Sequence, residues 1–260
     1  MTHGAGTSGK KPADDAQVLD SFLWASKFVY ERPRFLPQLT PKLLRALWRL
    51  RSRVGDLLYE RDLDTSEIKI EVEHYHPDRV WYAPSGWSYL RRILSPSDVD
   101  SRDVFVDFGS GKGRVLYQAA QYPFGRVVGV EVSSDLNDIA KRNLARLQHQ
   151  LASKVDIVTC DVLRFPIPDD MTYAYFFNPF AGKTFRSVIE NIVSSLERHP
   201  RRLHLIYAVP AEETAILATG RFRVKRSKRV LFEQVVHRVT LYESMDARRD
   251  ARVRRGGAVT

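Results

Sequence analysis

The sequence predicts an α/β fold in which a mostly parallel β-sheet carries helices on both faces. Two observations support this class. An apolar strand at residues 104–106 passes through a glycine-rich turn into a helix, and further apolar strands then alternate with amphipathic helical patterns. A chain of 260 residues with 43% hydrophobic and 11% aromatic residues can bury a core of this size, so global disorder is excluded.

The strand-turn-helix unit at residues 104–120 is the most informative stretch. Its strand ends at Asp107, and glycines follow at alternate positions: Gly109, Gly111 and Gly113. Glycine is needed where a chain reverses sharply and where a ligand must contact the backbone. The unit therefore predicts a nucleotide-type binding site, with an ordinary glycine-rich loop as the alternative.

The spacing of the glycines distinguishes between kinds of nucleotide site. A dinucleotide fingerprint would need a third glycine where Arg114 stands, and a P-loop would need Ser or Thr after Lys112. The stretch instead reads D-x-G-x-G-x-G from Asp107 and resembles motif I of class I S-adenosylmethionine (SAM) methyltransferases. The resemblance implies a Rossmann-like, seven-stranded sheet whose last strand is antiparallel, and SAM as cofactor with S-adenosylhomocysteine (SAH) as product.

The same resemblance implies roles for the residues of this loop. The residues that would wrap the methionine part of the cofactor are Gly109, Ser110, Gly111 and Gly113. Asp107 would lie near the cofactor's amino group as an anion facing a cation.

Two further acids stand at predicted strand ends. Glu131 closes the second strand, residues 126–132, where an acid in a nucleoside-binding α/β sheet accepts the ribose hydroxyls. Asp161 and Val162 follow the third strand, residues 155–159. In the methyltransferase family these positions bind the adenine amino group and cover the adenine ring.

The fourth strand, residues 173–177, runs into Asn178-Pro179-Phe180, which resembles motif IV of amino-methyltransferases with one proline fewer. The Asn178 amide can hold the N–H groups of a neutral amine and so aim its lone pair in line with the sulfonium methyl, and Asn178 is also a candidate cofactor contact. Phe180 can stack on the acceptor, and a plain Asn-Pro turn is the alternative. Motif I and this run together also loosely resemble disruptor-of-silencing histone lysine methyltransferases and uncharacterised bacterial class I methyltransferases.

The chain upstream of motif I predicts a cover for the site. We expect a disordered segment at residues 1–16, a helical and extended cap at 17–80, the SAM-binding domain at 81–244 and a basic disordered tail at 245–260. The aromatic turn at residues 81–87 resembles segments that close over SAM. Tyr82 and Ser85 are its candidate cofactor contacts, Tyr82 also a catalytic candidate, with plain packing as the alternative.

Charge and composition limit the kinds of partner and cofactor to be expected. The net charge of +10 favours acidic partners, yet no recognisable nucleic-acid module accompanies it, so nucleic acid stays a possible substrate only. No metal is expected, because His74 and His76 have no further ligands at zinc-like spacing. The single cysteine, Cys160, fits a core position and a reducing cytoplasm, and no stretch approaches a membrane span of ~20 apolar residues.

These patterns predict a SAM-dependent methyltransferase whose acceptor is a nitrogen of a small molecule or a protein side chain. The alternatives are a non-catalytic SAM-binding scaffold or sensor, and a basic methyltransferase associated with nucleic acid. An oxygen acceptor would call for a general base, for which His74, Tyr75 and His76 are candidates. The oligomeric state is left open.

Overall fold

The structure is a computed structural model that describes residues 63–64, 83–232 and 235–245. Within these ranges the helices are α1 Ser88–Ile93, α2 Arg114–Ala119, α3 Ser134–Leu144, α4 His149–Ala152, α5 Gly182–Arg198 and α6 Glu213–Ala218. The strands in the same ranges are β1 Val104–Phe108, β2 Arg126–Glu131, β3 Val155–Thr159, β4 Tyr173–Phe176, β5 His204–Ala208, β6 Phe222–Phe232 and β7 Val235–Ser244.

The described strands form one sheet in the order β3-β2-β1-β4-β5-β7-β6. Strands β1 to β5 are mutually parallel, and β7 pairs antiparallel with both β5 and β6. The predicted α/β class, with a seven-stranded sheet and an antiparallel last strand, is confirmed. The predicted cap helices lie outside the described residues, as do residues 1–16, Tyr82 and all but the first residue of the predicted tail.

Both faces of the sheet are buried under helices. Alternate side chains of a strand point to opposite faces, so β1 sends Phe105 to one side and Val106 to the other. Phe105 packs in a cluster with α1 and α2, whereas Val106 packs in a second cluster with α5. All five residues of β1 are buried, which explains its continuous apolar run in the sequence.

The helices differ from their predictions more than the strands do. The amphipathic pattern of residues 135–150 predicts one helix, but the structure has two, because the chain leaves the helical conformation before Gln148, whose ψ of 142° is extended. Helix α2 ends at Ala119 although its pattern predicts a helix to residue 122, and α5 begins at Gly182 although residue 185 is the predicted start. Helix α6, only six residues long, was not predicted.

The carboxyl ends of the parallel strands meet at one edge of the sheet, where open α/β sheets bind their ligands. Among the described residues, two that are not glycine have a positive φ, Asn178 at 44° and Val209 at 54°. They lie just beyond β4 and β5, which are adjacent strands. Such backbone strain clusters at functional sites, so the geometry singles out this edge.

His204 lies at the opposite, amino-terminal edge, at the start of β5. Its ring is 4% exposed and stacks on Tyr173, with 4.7 Å between ring centroids. Its Nε2 atom faces Lys225 Nζ at 3.1 Å. Burial, and secondarily the charge of Lys225, lowers the pKa of His204 from 6.5 to about 4.

We expect His204 to make the protein acid-sensitive. Because its pKa is lower in the folded than in the unfolded chain, its contribution is complete above pH 6.5 and is lost as the pH falls towards 4. The loss between neutral pH and about pH 4 is about 3 kcal/mol. Urea unfolding across this range should show a smaller decline for His204→Gln than for wild type. Parallel declines would contradict the assignment.

Candidate cofactor and acceptor site

The glycine-rich loop after β1 folds back over the end of β2. The backbone N–H groups of Gly109 and Ser110 both donate to the Val130 carbonyl, at 2.8 and 3.1 Å. The φ angles of Gly109, Gly111 and Gly113 are 79°, 51° and 77°, in the left-handed region that favours glycine. The alternate glycines of the sequence motif therefore correspond to three left-handed residues in one tight loop.

The loop is also closely packed on both sides. A Cβ atom at Gly109 would lie 2.3 Å from the Cβ of Pro179, in the run that follows β4. A Cβ atom at Gly113 would lie 3.0 Å from the Cβ of Ala140 on α3. The structure thus brings the two predicted motifs, the glycine loop and Asn178-Pro179, into direct contact.

Asp107 is buried beneath this loop, with only 3% of its surface exposed. It lies beside Tyr175 of β4 in the register of the sheet. Burial first, and then the nearby Glu131 carboxylate, raises the pKa of Asp107 well above its usual range. Burial therefore opposes the ionisation of Asp107 in the protein alone, whereas a cation bound beside it would favour ionisation. The carboxylate that faces the cofactor's amino group stays a prediction.

Glu131 and Asp161 lie at the same edge, at the ends of β2 and β3. The Glu131 carboxylate accepts hydrogen bonds from the N–H groups of Gly111 and Ser133, both at 3.0 Å. Asp161 accepts one from the N–H of Leu163, also at 3.0 Å, and half-buried Val162 packs against the core. The placement is compatible with the ribose and adenine roles, which stay predictions.

The two predicted residues after β4 have different surroundings. Asn178 Oδ1 is buried and accepts no hydrogen bond from the described residues. Phe180 is 5% exposed, and its ring packs on Phe176 and Phe185 in the core. Its placement therefore favours a packing role over the predicted stacking on an acceptor.

Ser85 is buried against the other side of the site. Its hydroxyl shares a short hydrogen bond with the hydroxyl of Tyr175, the register neighbour of Asp107. Its carbonyl accepts from Arg114 at 3.0 Å, and the Arg114 guanidinium lies over the Trp87 ring, 5.2 Å from the ring centroid. The aromatic turn is thereby attached to α2, next to the glycine loop.

A histidine that the sequence motifs do not predict also lies at this edge. His237 of β7 lies beyond the point where β7 pairs with the last residue of β5. Its Nδ1 atom and the Tyr89 hydroxyl share a short hydrogen bond, and the Tyr89 ring contacts Phe177, 5.7 Å between centroids. Phe177 directly precedes Asn178. A residue separation of 148 leaves no local signal for such a pair.

The described segments show neither a membrane-spanning helix nor a metal-binding cluster. No helix of the described segments is long and apolar enough to cross a membrane. Over the same segments, no group of three or more His, Cys, Asp or Glu side chains is placed to hold a metal ion.

Comparison with known proteins gives a domain match and a distant relative. A family model described as a methyltransferase domain matches residues 105–199. Over 89 residues the chain is 35% identical to the histone-lysine N-methyltransferase specific for H3 lysine 79 from Dictyostelium discoideum. The alignment covers 31% of this chain but only 5% of that protein, so the chain spans a small part of its length.

Among solved structures, an RNA methyltransferase from Salinibacter ruber in complex with SAH is 23% identical, with a TM-score of 0.46 over 63% of this chain and 95% of that one. The N-methyltransferase NodS from Bradyrhizobium japonicum, also in complex with SAH, is 14% identical, with a TM-score of 0.48 over 62% of this chain and 86% of that one. The methyltransferase domain model thus matches the stretch from β1 to the end of α5, and the seven-stranded sheet agrees with the Rossmann-like fold that the sequence predicts.

Proposed function

We propose that this chain is a SAM-dependent methyltransferase that transfers the methyl group of SAM to a nitrogen atom of a small molecule or a protein side chain. The observation that supports a nitrogen acceptor is the Oδ1 atom of Asn178, which is buried and accepts no hydrogen bond from the described residues. A buried carbonyl oxygen without a donor costs about 1–3 kcal/mol, so an incoming N–H group would find a favourable partner there.

The described residues fit the cofactor in charge and in shape. A buried acid at Asp107 suits the cationic end of SAM, and the glycines leave backbone surface for its methionine part. In this proposal Glu131 binds the ribose, while Asp161 and Val162 bind the adenine. Ser85, with Tyr82 from the neighbouring turn, covers the cofactor.

The protein's contribution to the reaction is positioning. Asn178 Oδ1 accepts a hydrogen bond from one N–H of a neutral amine. This bond aims the lone pair of the nitrogen at the methyl carbon of SAM. SAM, when bound, would supply the electrophilic methyl group: an N–C bond would form as the S–C bond breaks, SAH would leave with that electron pair, and the methylated ammonium product would lose its extra proton to solvent. Holding the reacting atoms in line is worth several orders of magnitude in rate, and no covalent enzyme intermediate is needed.

The proposal extends to partners and location. The acceptor is the expected partner, without a dedicated nucleic-acid module, and the cytoplasm is the proposed location because a lone cysteine fits a reducing compartment. The identity of 35% to a histone-lysine N-methyltransferase, over 89 residues, also supports an amine acceptor.

Calorimetric titration with SAM and SAH tests the cofactor site. We expect Asp107→Ala to weaken the binding of both by about 10- to 100-fold, because a charge-assisted hydrogen bond contributes about 1.5–3 kcal/mol. Asp138→Ala is a matched control, since Asp138 is exposed on α3 and pairs with Lys141. Equal affinities for wild type and Asp107→Ala would refute the role of Asp107.

The pH dependence of the same titration has a defined sign. Because burial raises the pKa of Asp107 in the protein alone and a bound cation would lower it again, cofactor binding should be coupled to the release of a proton. Affinity should therefore rise from mildly acidic to neutral pH in wild type. In Asp107→Ala this rise should be largely lost.

A labelled-methyl screen tests the acceptor. Wild-type protein is offered SAM with primary amines, lysine-containing peptides, alcohols and RNA, and the labelled product is identified by mass spectrometry. Labelled amines or peptides would support the proposal, whereas label found only on hydroxyl oxygen would overturn the nitrogen assignment. Label found only on RNA would favour the nucleic-acid alternative, and tight SAH binding with no labelled product would favour a scaffold or sensor.

A further inference from the structure

Lys112 lies in the middle of the glycine-rich loop and is fully buried, with 0% of its side chain exposed. A buried ammonium group needs an opposite charge and hydrogen-bond acceptors. The structure supplies a carboxylate from far upstream, because Lys112 Nζ donates to Asp64 Oδ1 at 3.0 Å. The Asp64 side chain is 49% exposed, so the pair joins the interior of the loop to the protein surface.

Asn143 of α3 holds the same two residues together. Its side chain is buried, and its Oδ1 accepts a hydrogen bond from the Asp64 N–H at 2.9 Å. Its Nδ2 donates to the carbonyl of Asp64 at 3.1 Å and to that of Lys112 at 2.9 Å. The Asn143 amide therefore makes hydrogen bonds to both the N–H and the C=O of Asp64, as a neighbouring β-strand would. It also makes a hydrogen bond to the Lys112 carbonyl.

The ion pair with Asp64 and the hydrogen bond from Asn143 both hold Lys112, in the part of the loop with the greatest conformational freedom. Lys112 stands between Gly111 and Gly113, both at positive φ, and glycine loses the most backbone entropy when it is ordered. The Gly111 N–H is bonded to Glu131, the candidate ribose ligand. A loop that is anchored at Lys112 therefore presents both its backbone and Glu131 in one arrangement.

We propose that Asp64 is a positioning residue for the cofactor site, acting through its ion pair with Lys112 and its bonds to Asn143. The inference rests on the proposed SAM site and extends it, since Asp64 lies outside the matched domain at residues 105–199. On this proposal the chain upstream of the sheet contributes to SAM affinity by fixing the glycine loop, without a contact between Asp64 and the cofactor.

A double-mutant cycle tests the proposal on the full-length chain. The variants are Asp64→Asn, Lys112→Gln and the two combined, with SAH dissociation constants measured by calorimetry and melting temperatures measured in parallel. Each single variant is expected to weaken SAH binding by about tenfold or more, because each removes the Asp64–Lys112 ion pair that holds the loop. The double variant should bind SAH more tightly than the product of the two single effects predicts, since both substitutions remove the same ion pair.

Two further variants separate positioning from plain stability. Asp64→Glu keeps the charge and should retain most of the wild-type affinity, which keeps the test decisive even if Lys112→Gln fails to fold. Asp138→Asn removes an exposed ion pair on α3, with Lys141, and should leave SAH binding unchanged. In turnover assays Asp64→Asn should raise the KM for SAM more than it lowers kcat at saturating SAM.

The outcomes are distinguishable. Weaker SAH binding in Asp64→Asn with recovery in Asp64→Glu supports the proposal. A lower melting temperature with SAH affinity within about twofold of wild type would make the pair structural and overturn the proposal. Failure of the wild-type protein to bind SAH would instead refute the proposed function, and this inference with it.

Discussion

Gly109→Ala is expected to abolish SAM binding and to lower the free energy of unfolding by about 2–5 kcal/mol. Two costs add at this position. The φ of 79° is one that alanine adopts only with strain, and the new methyl group would lie 2.3 Å from Pro179 Cβ. Proline has a rigid ring, and Pro179 follows Asn178, whose φ is itself positive, so neither side can move away at low cost.

Gly220→Ala is the matched control for this prediction. Gly220 also has a positive φ, 62°, but nothing lies within 4 Å of the position its Cβ would take. It should therefore show the backbone strain alone, about 1 kcal/mol, and bind SAH as wild type does. Chemical unfolding and SAH calorimetry on both variants separate the two costs. Similar losses in the two proteins would mean that the contact with Pro179 does not matter.

The parts of the fold that could be predicted are those with a local, periodic signal. Buried parallel strands read as continuous apolar runs, so β1 and β4 lie close to their predicted positions. The glycine loop was recognisable because left-handed residues at alternate positions almost demand glycine. Acids that end strands could be placed at one edge because parallel strands share their carboxyl ends.

Phe180 shows where that local reasoning stops. An aromatic residue two positions after a candidate acceptor residue predicts a stacking surface, yet its ring lies in the core between Phe176 and Phe185. The turn at Asn178, with φ of 44°, redirects the chain so that the next aromatic side chain points inward. Sequence spacing does not specify a left-handed turn at a residue other than glycine.

Side-chain pairs that join distant parts of the chain could not be predicted from the sequence either. Lys112 and Asp64 are 48 residues apart, and neither residue type in its local sequence indicates a partner. The raised pKa of Asp107 could not be predicted for a related reason, since it depends on burial and on Glu131, which the sheet brings close. Tertiary packing determines both the partners of ion pairs and the pKa of buried groups, and the pattern of charges along the chain does not reveal that packing.

Asn178 has the second large expected effect, because it was predicted both to orient the acceptor and to contact the cofactor. If it orients the acceptor, removing its amide should lower kcat by about 100-fold or more while leaving SAH affinity nearly unchanged. If it mainly binds the cofactor, SAH affinity should fall and kcat at saturating SAM should change little. Steady-state kinetics with the best amine from the acceptor screen, combined with SAH calorimetry, measures both quantities.

The choice of substitution matters because the φ of Asn178 is 44°. Asn178→Gly removes the amide and tolerates this backbone, whereas Asn178→Ala removes the amide and adds strain. Both variants should therefore lose kcat alike, and only the alanine variant should also lose stability. Asn178→Asp retains an acceptor oxygen at the same place and should recover part of the rate. A glycine variant with kcat within about threefold of wild type would show that the buried oxygen of Asn178 does not orient the acceptor, and the case for a nitrogen substrate would lose its structural support.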